Sequence, residues 1–178
     1  MRRRIIAVLA AATVLSVPAC AGTVQAKTVS TVTNYKKAKK VKTGTTVVRT
    51  TSRRGGKYGY VKFTAPKKGK YVFTVGSLKT SAPRSAGGKD IRNGYVEICK
   101  ADRYGVAPIK LRTQYGKSYS MYVCTQDSWN VSGRKGSPYD SLTSRSMTAS
   151  MKKGQTLYVR AWFTAEKATY SLKIKKKK

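Results

Sequence analysis

Trp129 and Tyr139 stand on either side of Arg134 and Lys135 in the polar stretch at residues 126–141, QDSWNVSGRKGSPYDS. Aromatic rings on a loop can stack on a sugar ring or a base, and a neighbouring cation can hold an anionic group. A second polar stretch, residues 76–94, carries Lys79, Arg84, Lys89 and Arg92 among Pro83, Gly87, Gly88 and the Asn93-Gly94 pair. That composition predicts a loop, and long loops on a β-scaffold are where binding often resides. These eight side chains form the candidate ligand-binding set. The plainer alternatives are that Trp129 caps one end of the core, as tryptophan is mostly buried, and that 76–94 is an insertion with no partner.

The chemistry that is missing narrows the function further. The chain has no histidine, so neither a Ser-His-Asp nor a Cys-His arrangement can be built. Asp90, Glu97, Asp102, Asp127, Asp140 and Glu166 are dispersed and offer no close sequence pair for glycoside hydrolysis. There is no phosphate-binding P-loop and no dinucleotide glycine pattern after a strand. The two cysteines beyond residue 26, Cys99 and Cys124, cannot close a zinc shell without histidine. The reading is a non-catalytic protein with no cofactor and no metal.

Lysine and arginine number 38 against 6 acids, a formal charge of +32, while 40% of residues are hydrophobic. A core is therefore available, which sets the chain apart from a disordered polycation. Such charge costs stability by self-repulsion and favours polyanionic partners.

Met1-Arg2-Arg3-Arg4 opens a positive segment, residues 5–17 are apolar, and Val24-Gln25-Ala26 suits signal peptidase. The apolar run is shorter than the ~20 residues that span a bilayer. Residues 1–26 are expected to be a secretory signal peptide, which leaves a secreted or cell-surface protein. A second route is open: Val17-Pro18-Ala19-Cys20 resembles a lipobox, and lipidation of Cys20 would anchor the protein to the outer face of a membrane. With Cys20 removed, Cys99 and Cys124 are left as a possible disulfide pair outside the cytosol, or as two free thiols.

The elements that must position these residues are strands. Residues 27–44 are lysine-rich with little apolar surface and are expected to be a basic leader or linker. Residues 45–51 are β-branched. Residues 52–57, with Arg54-Gly55-Gly56, read as a hairpin loop; a single Arg-Gly-Gly is a thin signal for RNA binding. In VKFTAPKKGKYVFTV, residues 61–75, Val61 and Phe63 alternate with polar neighbours, as do Tyr71, Phe73 and Val75, around the turn Ala65-Pro66-Lys67-Lys68-Gly69. Further strands are expected at 95–100, 106–112 (an edge, because of Pro108), 119–124, 142–151, 156–163 and 169–175. Cys99 and Cys124 fall on outward positions, as a bridge at a sheet edge would need. No stretch shows a convincing helical period. Seven to nine short strands predict an all-β, antiparallel β-sandwich of jelly-roll or immunoglobulin-like type over 45–175, with a basic tail at 176–178.

The run VKFTAPKKGKYVFTV, then YVEICK, SMKKGQTLYVRAWF and ATYSLKIKK, resembles the bacterial pre-peptidase C-terminal domain over about residues 45–175. In that family a strand pair F-x-A-x-x-x-G-x-Y-x-F precedes a G-x-T-Y-Y-V-R-V strand and a final Y-x-L-x-I strand. The corresponding residues here are Phe63, Ala65, Gly69, Tyr71 and Phe73; residues 154–160; and Tyr170, Leu172 and Ile174. The resemblance implies a secreted β-sandwich module, often an accessory of exported enzymes and sometimes a binder of matrix or glycan. Its motifs are core residues, so they speak to fold more than to function. Relatives that bind calcium do so through clustered acids, and the six acids here lie scattered among lysines, so calcium is not carried over.

The functional expectation is a binding or adhesion module for an anionic polymer: wall polymer, acidic glycan or glycosaminoglycan, with extracellular nucleic acid reachable by the same physics. The alternatives are an accessory domain retained in the cell wall by charge, and a cationic antimicrobial or host-directed effector. The last lacks an amphipathic basic helix. A membrane partner follows only from lipidation at Cys20.

Overall fold

Alternation of apolar and polar residues puts one face of each strand inward, and in this chain it builds two packed sheets. The computed structural model describes residues 26–51, 58–80, 93–126, 141–163, 165 and 167–178. Its strands are β1 (Lys27–Ser30), β2 (Lys39–Val41), β3 (Gly44–Thr51), β4 (Gly59–Thr64), β5 (Gly69–Thr80), β6 (Asn93–Asp102) and β7 (Gly105–Pro108). They continue as β8 (Leu111–Thr113), β9 (Gly116–Ser118), β10 (Ser120–Cys124), β11 (Ser144–Met151), β12 (Thr156–Phe163) and β13 (Lys167–Lys176). Sheet A has the order β1-β3-β13-β5-β11-β8-β9. Sheet B has the order β10-β6-β12-β4-β2, with β7 sharing with β10 one edge of β6. All pairings are antiparallel except β1 with β3 and β2 with β4. The expected all-β sandwich is present, with more strands than anticipated because of short edge pieces.

The core lies between the sheets. Sheet A contributes Tyr71, Phe73, Val75, Met147, Tyr170, Leu172 and Ile174, and sheet B contributes Val61, Phe63, Val96, Ile98, Leu157, Val159 and Phe163, all buried. Each such side chain stabilises the fold by about 1.5–3 kcal/mol relative to exposure. Aromatic contacts tie the layers together: Phe63 meets Tyr71 and Phe73 at 5.2 and 5.7 Å between ring centres, and Phe163 meets Tyr170 at 5.4 Å. The Tyr71 hydroxyl donates to the Lys67 carbonyl at 2.8 Å and closes the turn before it.

The chain changes sheet at nearly every connection. β3 lies in sheet A, β4 in sheet B and β5 in sheet A again. β3 and β4, expected as a hairpin, therefore lie in different layers, and residues 65–68 cross between the layers. Residues 106–112, expected as a single strand, divide into β7 on the edge of sheet B and β8 in sheet A. β5 runs on through Thr80 into the stretch expected to be a loop from residue 76, with a break in regularity at Ser77.

Residues 27–44 are part of the sandwich and not a leader. β1 extends sheet A, β2 extends sheet B, and Val29, Ala38 and Val41 are buried. The short apolar content of this segment falls on the few positions that face inward. The basic tail is likewise held: β13 continues to Lys176, and the Lys177 amide donates to the Lys70 carbonyl at 2.8 Å.

Candidate functional site

Of the eight candidate ligand residues, Lys79 lies within the described residues. Trp129, Arg134, Lys135, Tyr139, Arg84, Lys89 and Arg92 lie outside them, as does Cys20. Lys79 is exposed near the end of β5, in the lining of a cleft of about 850 Å³ on the outer face of sheet A. Thr80 and Gln126, the last described residues before 81–92 and 127–140, also line it.

The proposed bridge between Cys99 and Cys124 is overturned. Both cysteines are free and buried. Cys124 lies opposite Asn93 on β6, six residues from Cys99 along the same strand. That is about 20 Å at strand rise, whereas a disulfide needs its Cα atoms within about 7 Å. Outward parity was the right reading of both positions, but the register places them far apart. Burial pushes the Cys99 thiol from its usual 9.0 up to about 12, the nearby Arg160 partly opposing this and Glu97 adding to it.

Three segments bring lysines to one end of the sandwich. The turn after β4 carries Lys67 and Lys68, with Lys70 at the start of β5; the turn after β11 carries Lys152 and Lys153; and β13 runs out through 175–178. All nine are exposed. The turns are joined by hydrogen bonds, Ala65 to the Gln155 carbonyl at 2.9 Å and Gly154 to the Ala65 carbonyl at 2.8 Å. Gly154 has φ 78°, a left-handed turn position that suits glycine. A shallow cleft of about 400 Å³ opens between Lys68, Lys70 and Lys152 over Met151. The acid described at this end, Asp102, is occupied in its own turn, accepting from the amides of Tyr104 and Gly105 at 2.8 and 3.0 Å.

The cationic surface continues onto the outer face of sheet A. Lys173 stands between Thr45 on β3 and Thr74 on β5, with Lys175 two residues further along β13 beside Val72. Two residues of strand separate successive outward side chains by about 7 Å. Arg49 opposite Thr169 adds a further exposed charge. The rest of this face is largely hydroxyl: Thr74, Ser146, Thr148 and Ser171.

The outer face of sheet B is different, and the sequence reading missed it. Tyr58, Tyr60, Tyr95, Tyr122, Tyr158 and Trp162 cover it, with Tyr35 packed on Tyr60 and Tyr158 from the 3₁₀ turn Tyr35–Lys37. Tyr95 stacks on Trp162 at 5.5 Å and shares a hydrogen bond of 3.1 Å with the Tyr58 hydroxyl. Among these rings lies an ion pair: Arg160 Nε donates to Glu97 Oε2 at 2.6 Å, and Ser120 Oγ donates to Oε1 at 2.9 Å. Arg160 also lies 4.3 Å from the centre of the Tyr58 ring. Burial alone would lower the Arg160 pKa; the charges of Cys99 and Glu97 and hydrogen bonds to Glu97 and Tyr60 hold it above its usual value. The signal was available in Tyr158, Arg160 and Trp162, the outward set of β12, where a solvated face would be small and polar.

Comparisons with known proteins add little. No family model matches the chain, and no match is found among curated proteins. Among solved structures, "CBM35 from Cellvibrio japonicus Abf62" aligns over 69% of this chain and 71% of that one, at 14% identity and a TM-score of 0.30. A likeness that loose carries no functional argument.

Proposed function

We propose that this protein is an exported, non-catalytic binding module for an anionic polymer, such as an acidic glycan, glycosaminoglycan or wall polymer. The observation that carries this reading is the lysine-rich end of the sandwich and its continuation along sheet A. Cations from separate strands and turns are held there on a rigid scaffold, and the nearest described acid is engaged in its own turn. A polymer laid along the last part of β13 would meet Lys173 and Lys175 about 7 Å apart, with the hydroxyls of Thr74 and Ser171 beside them to bond its polar groups. Residues 1–26 act as the export signal in this account, with a lipid anchor at Cys20 as the other route to the cell surface. The pre-peptidase C-terminal resemblance fits a secreted accessory module of this type.

The test is a binding panel of heparin, wall teichoic acid, double-stranded DNA and a neutral glucan, at ~50 and ~200 mM salt. Retention of one acidic glycan or wall polymer at the higher salt supports the reading. Equal binding to every polyanion that collapses with salt would leave only a sticky surface. A second reading, favoured by the aromatic face of sheet B, is contact with neutral sugar rings there. It predicts glucan binding that is insensitive to salt and lost in Trp162→Ala.

A further inference from the structure

The cleft at the end of the sheet A face has features that general charge attraction does not need. β5 and β13 pair regularly from Lys176 to Ser171, and then their register shifts between Ser171 and Thr169. At that break Ser77 adopts φ 52°, a left-handed conformation uncommon for a residue with a side chain. Strain of this kind persists where the surrounding structure holds it, and it gathers at binding sites. A bulge also re-aims the side chain that it displaces. Here it turns Ser77 into the cleft wall. The neighbouring Gly76 allows close approach, since a Cβ there would lie 3.3 Å from Ser144 Oγ. The Gly76 carbonyl is taken by the Ser171 hydroxyl at 3.0 Å.

The lining is chemically one-sided. It presents hydroxyls from Thr74, Ser77, Ser144 and Ser171, two exposed cations, Lys79 and Lys173, and no carboxylate among the described lining residues. The volume of about 850 Å³ is large enough for one or two sugar-sized units.

We propose that this cleft is a dedicated subsite for a hydroxylated unit bearing an oxyanion, either a carboxylate or a phosphate ester, with Lys79 and Lys173 holding the anion and Ser77 and Ser171 bonding the hydroxyls. This rests on the anionic-polymer reading and deepens it. The lysine end and β13 supply salt-sensitive attraction along the chain, whereas the cleft reads one repeat unit.

The experiment is an amide NMR titration of the protein with D-glucuronate, glycerol 1-phosphate and glucose, with heparin binding measured in parallel. The expected result is saturable shifts around residues 76–79 and 171–173 with one acidic probe and none with glucose. Glucuronate and glycerol phosphate distinguish a uronate-type from a phosphate-type polymer. Lys173→Gln and Lys79→Gln should each weaken that probe about tenfold, the loss of one charge-assisted contact. Ser77→Gly relieves the backbone strain, so its melting temperature should hold or rise while affinity falls several-fold. Lys117→Gln, on β9, is the control. Absence of saturation by both acidic probes, or unchanged affinity in Lys173→Gln and Ser77→Gly, overturns the subsite. If heparin still binds in that case, only the subsite falls; if heparin also fails to bind, the anionic-polymer reading falls with it.

Discussion

Glu97 and Arg160 face each other across β6 and β12 with Ser120 on the far side, so a single carboxylate links three neighbouring strands. In the sequence Glu97 is only another dispersed acid, because its partner lies 63 residues away and pairing depends on a register that spacing does not show. Removing the carboxylate in Glu97→Ala would strand the Arg160 guanidinium, whose side chain is 14% exposed. Breaking a buried pair costs about 3–5 kcal/mol, and this slight exposure points to the lower part of that range. Denaturant unfolding of Glu97→Ala should show such a loss, and Glu97→Gln, which can still accept from Ser120, a smaller one. The thiols give a second test at this scale. With no bridge, the chain from Lys27 onward should titrate two thiols after denaturation and react slowly when native, and its mobility should not depend on reductant. The raised Cys99 pKa also sets a pH dependence. Above its unfolded value of 9.0 the unfolded chain releases the proton and the folded chain keeps it, so stability is lost as pH rises toward about 12. The loss from this group is up to roughly 1.4 kcal/mol per pH unit. Unfolding measured at about pH 8 and about pH 11 should show a smaller drop in Cys99→Ala than in the unsubstituted protein.

β1 and β2 show how far local pattern can mislead. A segment with five basic residues between 35 and 42 looks solvated, yet its inward positions are Ala38 and Val41, and Val29 precedes them in β1. Removing residues 27–41 would expose the edges of β3 and β4 and withdraw two buried valines, each worth about 1.5–3 kcal/mol. A thermal melt of the shortened protein should therefore show marked destabilisation; an unchanged melting temperature would restore the leader reading. Elements in the middle of the chain were easier to read. Val61, Phe63, Tyr71, Phe73, Leu157, Val159, Tyr170, Leu172 and Ile174 all occupy the inward positions that alternation assigns them. What alternation leaves open is which strands meet. A turn such as 65–68 is compatible with a hairpin or with a crossing between layers, and the choice depends on partners such as β12 and β13, about a hundred residues downstream. Twist and packing of whole sheets make that choice. The outward faces were the least legible, because the hydrophobic rule says only that they are free to vary, and sheet B fills its face with tyrosine.

Over the whole molecule, charge and architecture divide the surface in two. Sheet A and the turn end are cationic and hydroxyl-rich, while sheet B is aromatic with its main ion pair drawn in among the rings. The net charge of +32 was plain in the composition, but its concentration was not. That arises because the turns after β4 and β11 and the end of β13 meet through antiparallel pairing of distant segments. Residues 81–92 and 127–140, which hold most of the sequence-derived ligand candidates, lie outside the described residues. The most direct measurement is the salt dependence of affinity for an acidic polysaccharide in the protein and in a variant with Lys68, Lys152, Lys153 and Lys175 replaced by glutamine. The account predicts weaker binding in the variant at low salt and a shallower slope of log K against log salt, by about 0.7–0.9 for each cation that had displaced a counterion. A variant with undiminished affinity and an unchanged slope would contradict it, and would place any polymer contact elsewhere on the molecule.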